Sequence, residues 1–115
     1  MELSNQVCSL ELSKQLKNLG FEQESLFWHI VGLDGTSDIR QSKPLNHILT
    51  AYSAYTVAEL GEFFENGVWL PVKDEKRWLW VASNSKTKKG LRQYENTEAD
   101  ARAKMLIYLK ENRLL

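Results

Sequence analysis

At 115 residues the chain is long enough for one domain that buries roughly two-thirds of its unfolded surface, and with 43% apolar and 26% charged residues it excludes extended disorder. Fifteen basic residues balance fifteen acidic ones, so any attraction to nucleic acid or a membrane surface has to come from a local patch. The single cysteine, Cys8, excludes an internal disulfide and fits a reducing, cytoplasmic setting; the N-terminus lacks a signal core, and the longest apolar stretch, Leu26 to Leu33, is interrupted by His29 and Gly32, so neither secretion nor a membrane span is expected.

Leu12, Leu16 and Leu19 recur at i, i+4 and i+7, which predicts a short amphipathic helix ending at Gly20. A glycine there suits a left-handed exit, with Phe21 folding back onto the last turn as in a Schellman motif. Ser25 to Leu33 is rich in Phe, Trp, Ile and Val and runs into Asp34-Gly35, predicting a strand and a two-residue primed turn. Thr36 to Gln41 then returns as a more polar strand at a sheet edge. From Ser42 to Tyr55 the expectation is mostly loop: Lys43-Pro44 blocks helix, and Ile48-Leu49 reads equally as a short strand or a packed loop.

Thr56-Val57-Ala58-Glu59 has the capping-box pattern and opens a second helix, with Val57, Leu60, Phe63 and Phe64 as its apolar stripe and Asn66-Gly67 as its exit. Gly61 inside it costs about 1 kcal/mol relative to alanine, which points to close approach of a neighbouring element. Three strands follow, Val68 to Val72, Arg77 to Ser83 and Leu91 to Glu95, joined by the charged turn Lys73 to Lys76 and the polar loop Asn84 to Gly90. Links this short favour an antiparallel meander. The last helix, Thr97 to Leu115, has Thr97 as N-cap and Glu98 and Asp100 at the positive end of its dipole. Its run Met105 to Leu109 is too wide for one stripe, so it packs deeply or meets a second subunit; an exposed Leu106 or Ile107 would mark an interface.

The order is helix, two strands, helix, three strands, helix. It predicts a single α+β domain over residues 1–115, with an antiparallel sheet of about five strands and three helices mainly on one face.

Few residues invite chemistry. His29 and His47 belong to no metal-ligand or triad spacing; a packed strand residue and a solvated loop residue are the plainer readings. Cys8 has no local Cys-His partner, and the row Glu59, Glu62 and Glu65 reads as a solvated helix face rather than a cation cage. The basic run Lys86, Lys88, Lys89 and Arg92, with Tyr94 nearby, combines cations for phosphate with an aromatic ring for stacking, although a four-cation hairpin loop is commonly just soluble. Trp69, Trp78 and Trp80 are core candidates that also suit an interface, as do Leu106 and Ile107.

The segments Cys8 to Gly20 with Gln23-Glu24-Ser25-Leu26-Phe27-Trp28-His29, then Tyr55-Thr56-Val57-Ala58-Glu59-Leu60-Gly61, and most specifically Thr97-Glu98-Ala99-Asp100-Ala101-Arg102-Ala103-Lys104-Met105-Leu106, resemble a family of small proteins of bacteriophages, prophages and gut Bacteroidetes. Members often carry Pro where Tyr55 stands and Leu-Pro near Phe64-Glu65. The family has no established activity, so the resemblance implies a mobile-element context and supplies no catalytic residue. The expectation is a non-enzymatic protein-interaction module without cofactor or metal, with a homodimer among its partner options. Nucleic-acid binding through residues 86–92 is the alternative, and an enzyme using His29 a weaker one.

Overall fold

A computed structural model describes residues 2–41, 50–63, 68–73, 78–84 and 87–113, with the backbone alone described for the strands between 68 and 94. Lys43-Pro44, His47, Ile48-Leu49, Phe64 to Gly67, the turn residues Asp74 to Arg77, Lys86 and the last two leucines lie outside the described residues.

Two helices open the chain. The first, α1 (Leu3–Gln6), is a single turn without a side-chain cap, which is why no periodicity announced it. The second, α2 (Leu10–Asn18), starts where the Ser9 hydroxyl accepts from the Leu12 N–H at 3.4 Å, and buries Leu12 and Leu16. Its exit is the Schellman arrangement: Gly20 at φ +90 donates to the Lys17 carbonyl at 3.0 Å, and Phe21 donates to the Leu16 carbonyl at 3.1 Å.

Strands β1 (Trp28–Val31) and β2 (Ser37–Arg40) form the expected hairpin, but its turn differs from the predicted two-residue form. Gly35 donates to the Gly32 carbonyl at 3.1 Å and Gly32 to the Thr36 carbonyl at 2.8 Å, so the loop is Leu33-Asp34-Gly35. A turn followed by a left-handed glycine, Gly35 at φ +85, is the three-residue hairpin solution. Asp34 Oδ1 stabilises it by accepting from the Thr36 N–H at 3.1 Å and the Thr36 hydroxyl at 2.7 Å.

Part of the segment expected as loop is a strand. β3 (Thr50–Ser53) pairs antiparallel with the other side of β1, giving the order β2-β1-β3. Thr50 and Tyr52 favour a strand, but the buried positions are the small residues Ala51 and Ser53, so no apolar alternation announces it; pairing with β1 defines it.

Helix α3 (Val57–Gly61) opens with the predicted capping box, Glu59 N–H to Thr56 Oγ1 at 3.3 Å and Thr56 N–H to Glu59 Oε1 at 3.0 Å. It is shorter than predicted, because the chain tightens after Gly61 into Glu62-to-Glu59 and Phe63-to-Leu60 bonds at 3.2 Å.

The meander β4 (Val68–Lys73), β5 (Trp78–Asn84) and β6 (Thr87–Glu95) is antiparallel in the order β4-β5-β6. The expected single sheet of about five strands is therefore two three-stranded sheets, and four helices replace three among the described residues.

The last helix, α4 (Glu98–Glu111), is capped by Thr97 Oγ1, which accepts from the Asp100 N–H at 3.1 Å. It packs against α2 and α3 and also against β5 and β6. Ala99, Ala103, Leu106 and Ile107 join Leu12, Leu16, Phe21, Tyr55 and Leu60 in one core cluster. Ala101, Met105 and Leu109, on another side of the helix, are also fully buried. This two-sided burial accounts for the wide apolar run. Leu106 and Ile107, 0% and 7% exposed, are core residues of this chain, so neither offers the interface considered for them.

Candidate functional site

The residue types that invite a chemical reading converge where the N-terminal segment crosses β1 and meets the start of α4. The Cys8 N–H donates to the Tyr55 carbonyl at 2.9 Å, and Val7 forms a bridge with Thr56, so residues 7 and 8 run beside the end of the β3 segment. Across them, His29 Nε2 lies 2.7 Å from the Cys8 carbonyl, which makes Nε2 the protonated donor. Asp100 Oδ1 accepts the Ser9 N–H at 2.7 Å, joining the first turn of α4 to the N-cap of α2. The Cys8 and Ser13 side chains share a hydrogen bond at 3.0 Å.

Each titratable group is displaced by its surroundings. Burial pushes the Cys8 thiol up to about 11, against the weaker lowering effect of the Ser13 hydrogen bond. Burial also lowers the His29 pKa below its ordinary 6.5, partly offset by the bond to the Cys8 carbonyl and by the Asp100 charge. Asp100 is raised above 3.8, again chiefly by burial, with the Ser9 N–H pulling the other way. The cluster thus favours a neutral imidazole and a protonated thiol, the opposite of an activated thiolate–imidazolium pair.

His29 lines a surface depression of about 430 Å³ together with Ser4, Ser9, Ser37 and Asp38. Its bonded partner is a main-chain carbonyl, which fixes the ring as a strut between β1 and the N-terminal segment. A second hollow, of about 530 Å³, is lined by Asn5, Gln6, Thr56, Ala58, Asn96 and Thr97. The two threonines there already cap α3 and α4. Among the described residues no group of three or more His, Cys, Asp or Glu side chains converges as metal ligands would.

The basic candidates are placed differently from the sequence expectation. Lys88 and Lys89 belong to β6 rather than to a loop. Ala82 pairs with Leu91 and Asn84 with Thr87, so the single residue Ser83 faces the three residues Lys88, Lys89 and Gly90. They therefore occupy a bulged part of the strand, where regular alternation of faces is broken. Arg92 and Tyr94 follow in register opposite Val81 and Leu79, and Lys86 lies outside the described residues. Trp69 is on β4, opposite Ala82; Trp78 and Trp80 are on β5, opposite Glu95 and Gln93.

Glu59 has a role the sequence reading missed. Besides closing the capping box, its Oε2 accepts the Leu26 N–H at 3.1 Å, tying the approach to β1 onto α3. Its spacing with Glu62 and Glu65 suggested a solvated row; the signal that could have separated it is its place in the capping box.

The fold is α+β with antiparallel sheets. Comparison of the chain with protein-family models, curated proteins and solved structures gives no match. No helix among the described residues is long and apolar enough to cross a membrane.

Proposed function

We propose that the protein, in keeping with its resemblance to small phage and prophage proteins, is a non-enzymatic module that acts through a protein contact surface, and that this surface is the β1–β2 hairpin. One observation carries the reading: Leu33 stands 85% exposed at the hairpin tip, beside an outer strand exposed at three of its four residues. A large apolar side chain carried on a cross-braced turn is a preorganised anchor, because the turn leaves little backbone freedom to be lost on binding. The reactive side chains support the same reading, since Cys8, His29 and Asp100 are each engaged in holding the N-terminal segment.

The test compares wild type with Leu33→Ser as immobilised bait in nuclease-treated bacterial lysate. A protein retained by wild type and lost by the variant is the expected result; equal retention by both overturns the assignment of the hairpin.

Binding of nucleic acid through β6 is the second reading, favoured by the concentration of Lys88 and Lys89 in the bulge ahead of Arg92 and Tyr94. Fluorescence anisotropy with labelled single- and double-stranded oligonucleotides decides it. Affinity that falls steeply with salt and is lost in Lys88→Glu/Lys89→Glu supports it, and no binding at low ionic strength overturns it.

A further inference from the structure

We infer that β2 is the self-pairing edge of a two-fold dimer, in which a second copy of the chain adds its own β2 antiparallel across Ile39. This inference rests on the reading of the hairpin as a contact surface and names the partner that its outer edge fits.

The register with β1 decides which backbone groups of β2 point away from it. Among the described strands β2 has β1 as its neighbour on one side and none on the other. The Gly32 N–H donates to the Thr36 carbonyl at 2.8 Å, and antiparallel pairs alternate between bonded and non-bonded. Given the register Ile30 with Asp38 and Trp28 with Arg40, Asp38 and Arg40 direct their N–H and C=O groups toward β1. The far side of β1 agrees: the Ala54 N–H donates to the Phe27 carbonyl at 2.9 Å, so odd-numbered residues of β1 serve β3 and even-numbered ones serve β2. The outward groups of β2 are therefore those of Ser37 and Ile39, with Gln41 continuing the same edge.

An antiparallel copy centred on Ile39 pairs Ile39 with Ile39, exchanging two N–H to C=O bonds across the axis. The same register sets Asp38 directly opposite Arg40 of the second copy, and Arg40 opposite its Asp38. These are non-bonded pairs, which bring side chains closest, so the two opposite charges meet where a cross-strand pair is most effective. Within one chain the Asp38 carboxylate already takes the Arg40 Nε at 3.1 Å, and both side chains are more than half exposed, at 56% and 55%. Pairing would extend this single contact into a two-by-two block in which every neighbouring charge is of opposite sign. A charge on an edge strand ordinarily repels a copy of itself. Here the pattern, acid and base two residues apart about an apolar centre, is complementary to itself under a two-fold. A four-residue edge gives far less than the roughly 1,200 Å² of a standard interface, so the dimer is weak and salt-sensitive.

Sedimentation of the full chain over a range of concentrations at low salt tests the inference. The weight-average mass of wild type should rise from 13.3 kDa toward twice that value and fall back on adding salt. Asp38→Arg alone and Arg40→Asp alone each set like charges opposite one another and should stay monomeric. An equimolar mixture of these two variants restores both attractive pairs and should recover the mass, as should the double reversal Asp38→Arg/Arg40→Asp. Ile39→Pro removes an outward N–H without touching the β1 ladder, and should abolish association while leaving the circular dichroism spectrum unchanged.

A wild type that stays monomeric at every concentration, or single reversals that associate as wild type does, overturns the inference. A monomeric wild type with Leu33-dependent capture intact rejects self-pairing alone. An intact charge-dependent dimer without such capture rejects the heterologous partner alone.

Discussion

Burial pushes the Cys8 thiol up to about 11, so thiolate is scarce at neutral pH, and the side chain is fully buried. Native protein should therefore be inert to a thiol-specific chromogenic reagent and should release one equivalent only in denaturant; rapid labelling of the native state would contradict the packing. For His29 the sign follows from burial of its ring. Its folded pKa lies below 6.5, so the unfolded chain takes up the proton first, and stability present above pH 6.5 is lost as pH falls toward the folded value. Asp100 acts in the opposite sense: its folded pKa is raised above 3.8, so its contribution is full below that value and is lost as pH rises through the folded one. Thermal melts between about pH 8 and about pH 5 should show Tm falling below pH 6.5, where the histidine titrates in the unfolded chain. His29→Gln, which keeps an N–H donor for the Cys8 carbonyl, should flatten that fall.

Among the elements, α3 shows a helix shaped by one neighbour. A Cβ built on Gly61 comes within 2.7 Å of Arg102 Nη1, the nitrogen that donates to the Val57 carbonyl at 3.1 Å. The same guanidinium pairs with Glu98 at 3.0 Å. Gly61→Ala gains up to about 1 kcal/mol of helix propensity but displaces a charged hydrogen bond worth roughly 1.5–3 kcal/mol. The expected net effect is a loss of about 1 kcal/mol, read from urea unfolding midpoints. In an Arg102→Leu background the obstruction is gone, and the alanine should become stabilising; a double-mutant cycle measures the coupling. The sequence flagged Gly61 as a site of close approach, but it could not say that a side chain, rather than a strand or a helix backbone, fills the space. The Gly20 exit was legible because it depends on adjacent residues. β3 was not, because its inward face is only Ala51 and Ser53, too small to give an apolar alternation, and its pairing with β1 is what defines it.

For the molecule as a whole, α4 is the element on which the others depend. It touches α2 and α3 on one side and β5 and β6 on another, and it carries fully buried residues on both. Leu106→Ala should cost about 2–5 kcal/mol, the range for a buried leucine. Far-ultraviolet dichroism and tryptophan fluorescence should report the same unfolding midpoint, since α4 packs on β5 and β6 and also on α2, which in turn packs on β3 of the other sheet. Separate midpoints would show that the sheets unfold independently. The candidate site is a product of the same assembly. Cys8, His29 and Asp100 are far apart in the chain and meet only because the N-terminal segment, β1 and α4 pack together. No local spacing announces such a cluster.

The sequence alone determined what neighbouring residues decide: the Thr56 and Thr97 caps, the Gly20 exit, the hairpin at Asp34-Gly35 and the antiparallel meander of β4 to β6. These rest on hydrogen bonds and dihedral preferences within a few residues, which composition and spacing expose directly. Tertiary structure alone decided that the strands divide into two sheets, that Leu106 and Ile107 face inward, and that the residues suited to chemistry serve as struts. Those outcomes depend on which distant surfaces meet, and burial, not residue type, then sets what each side chain can do.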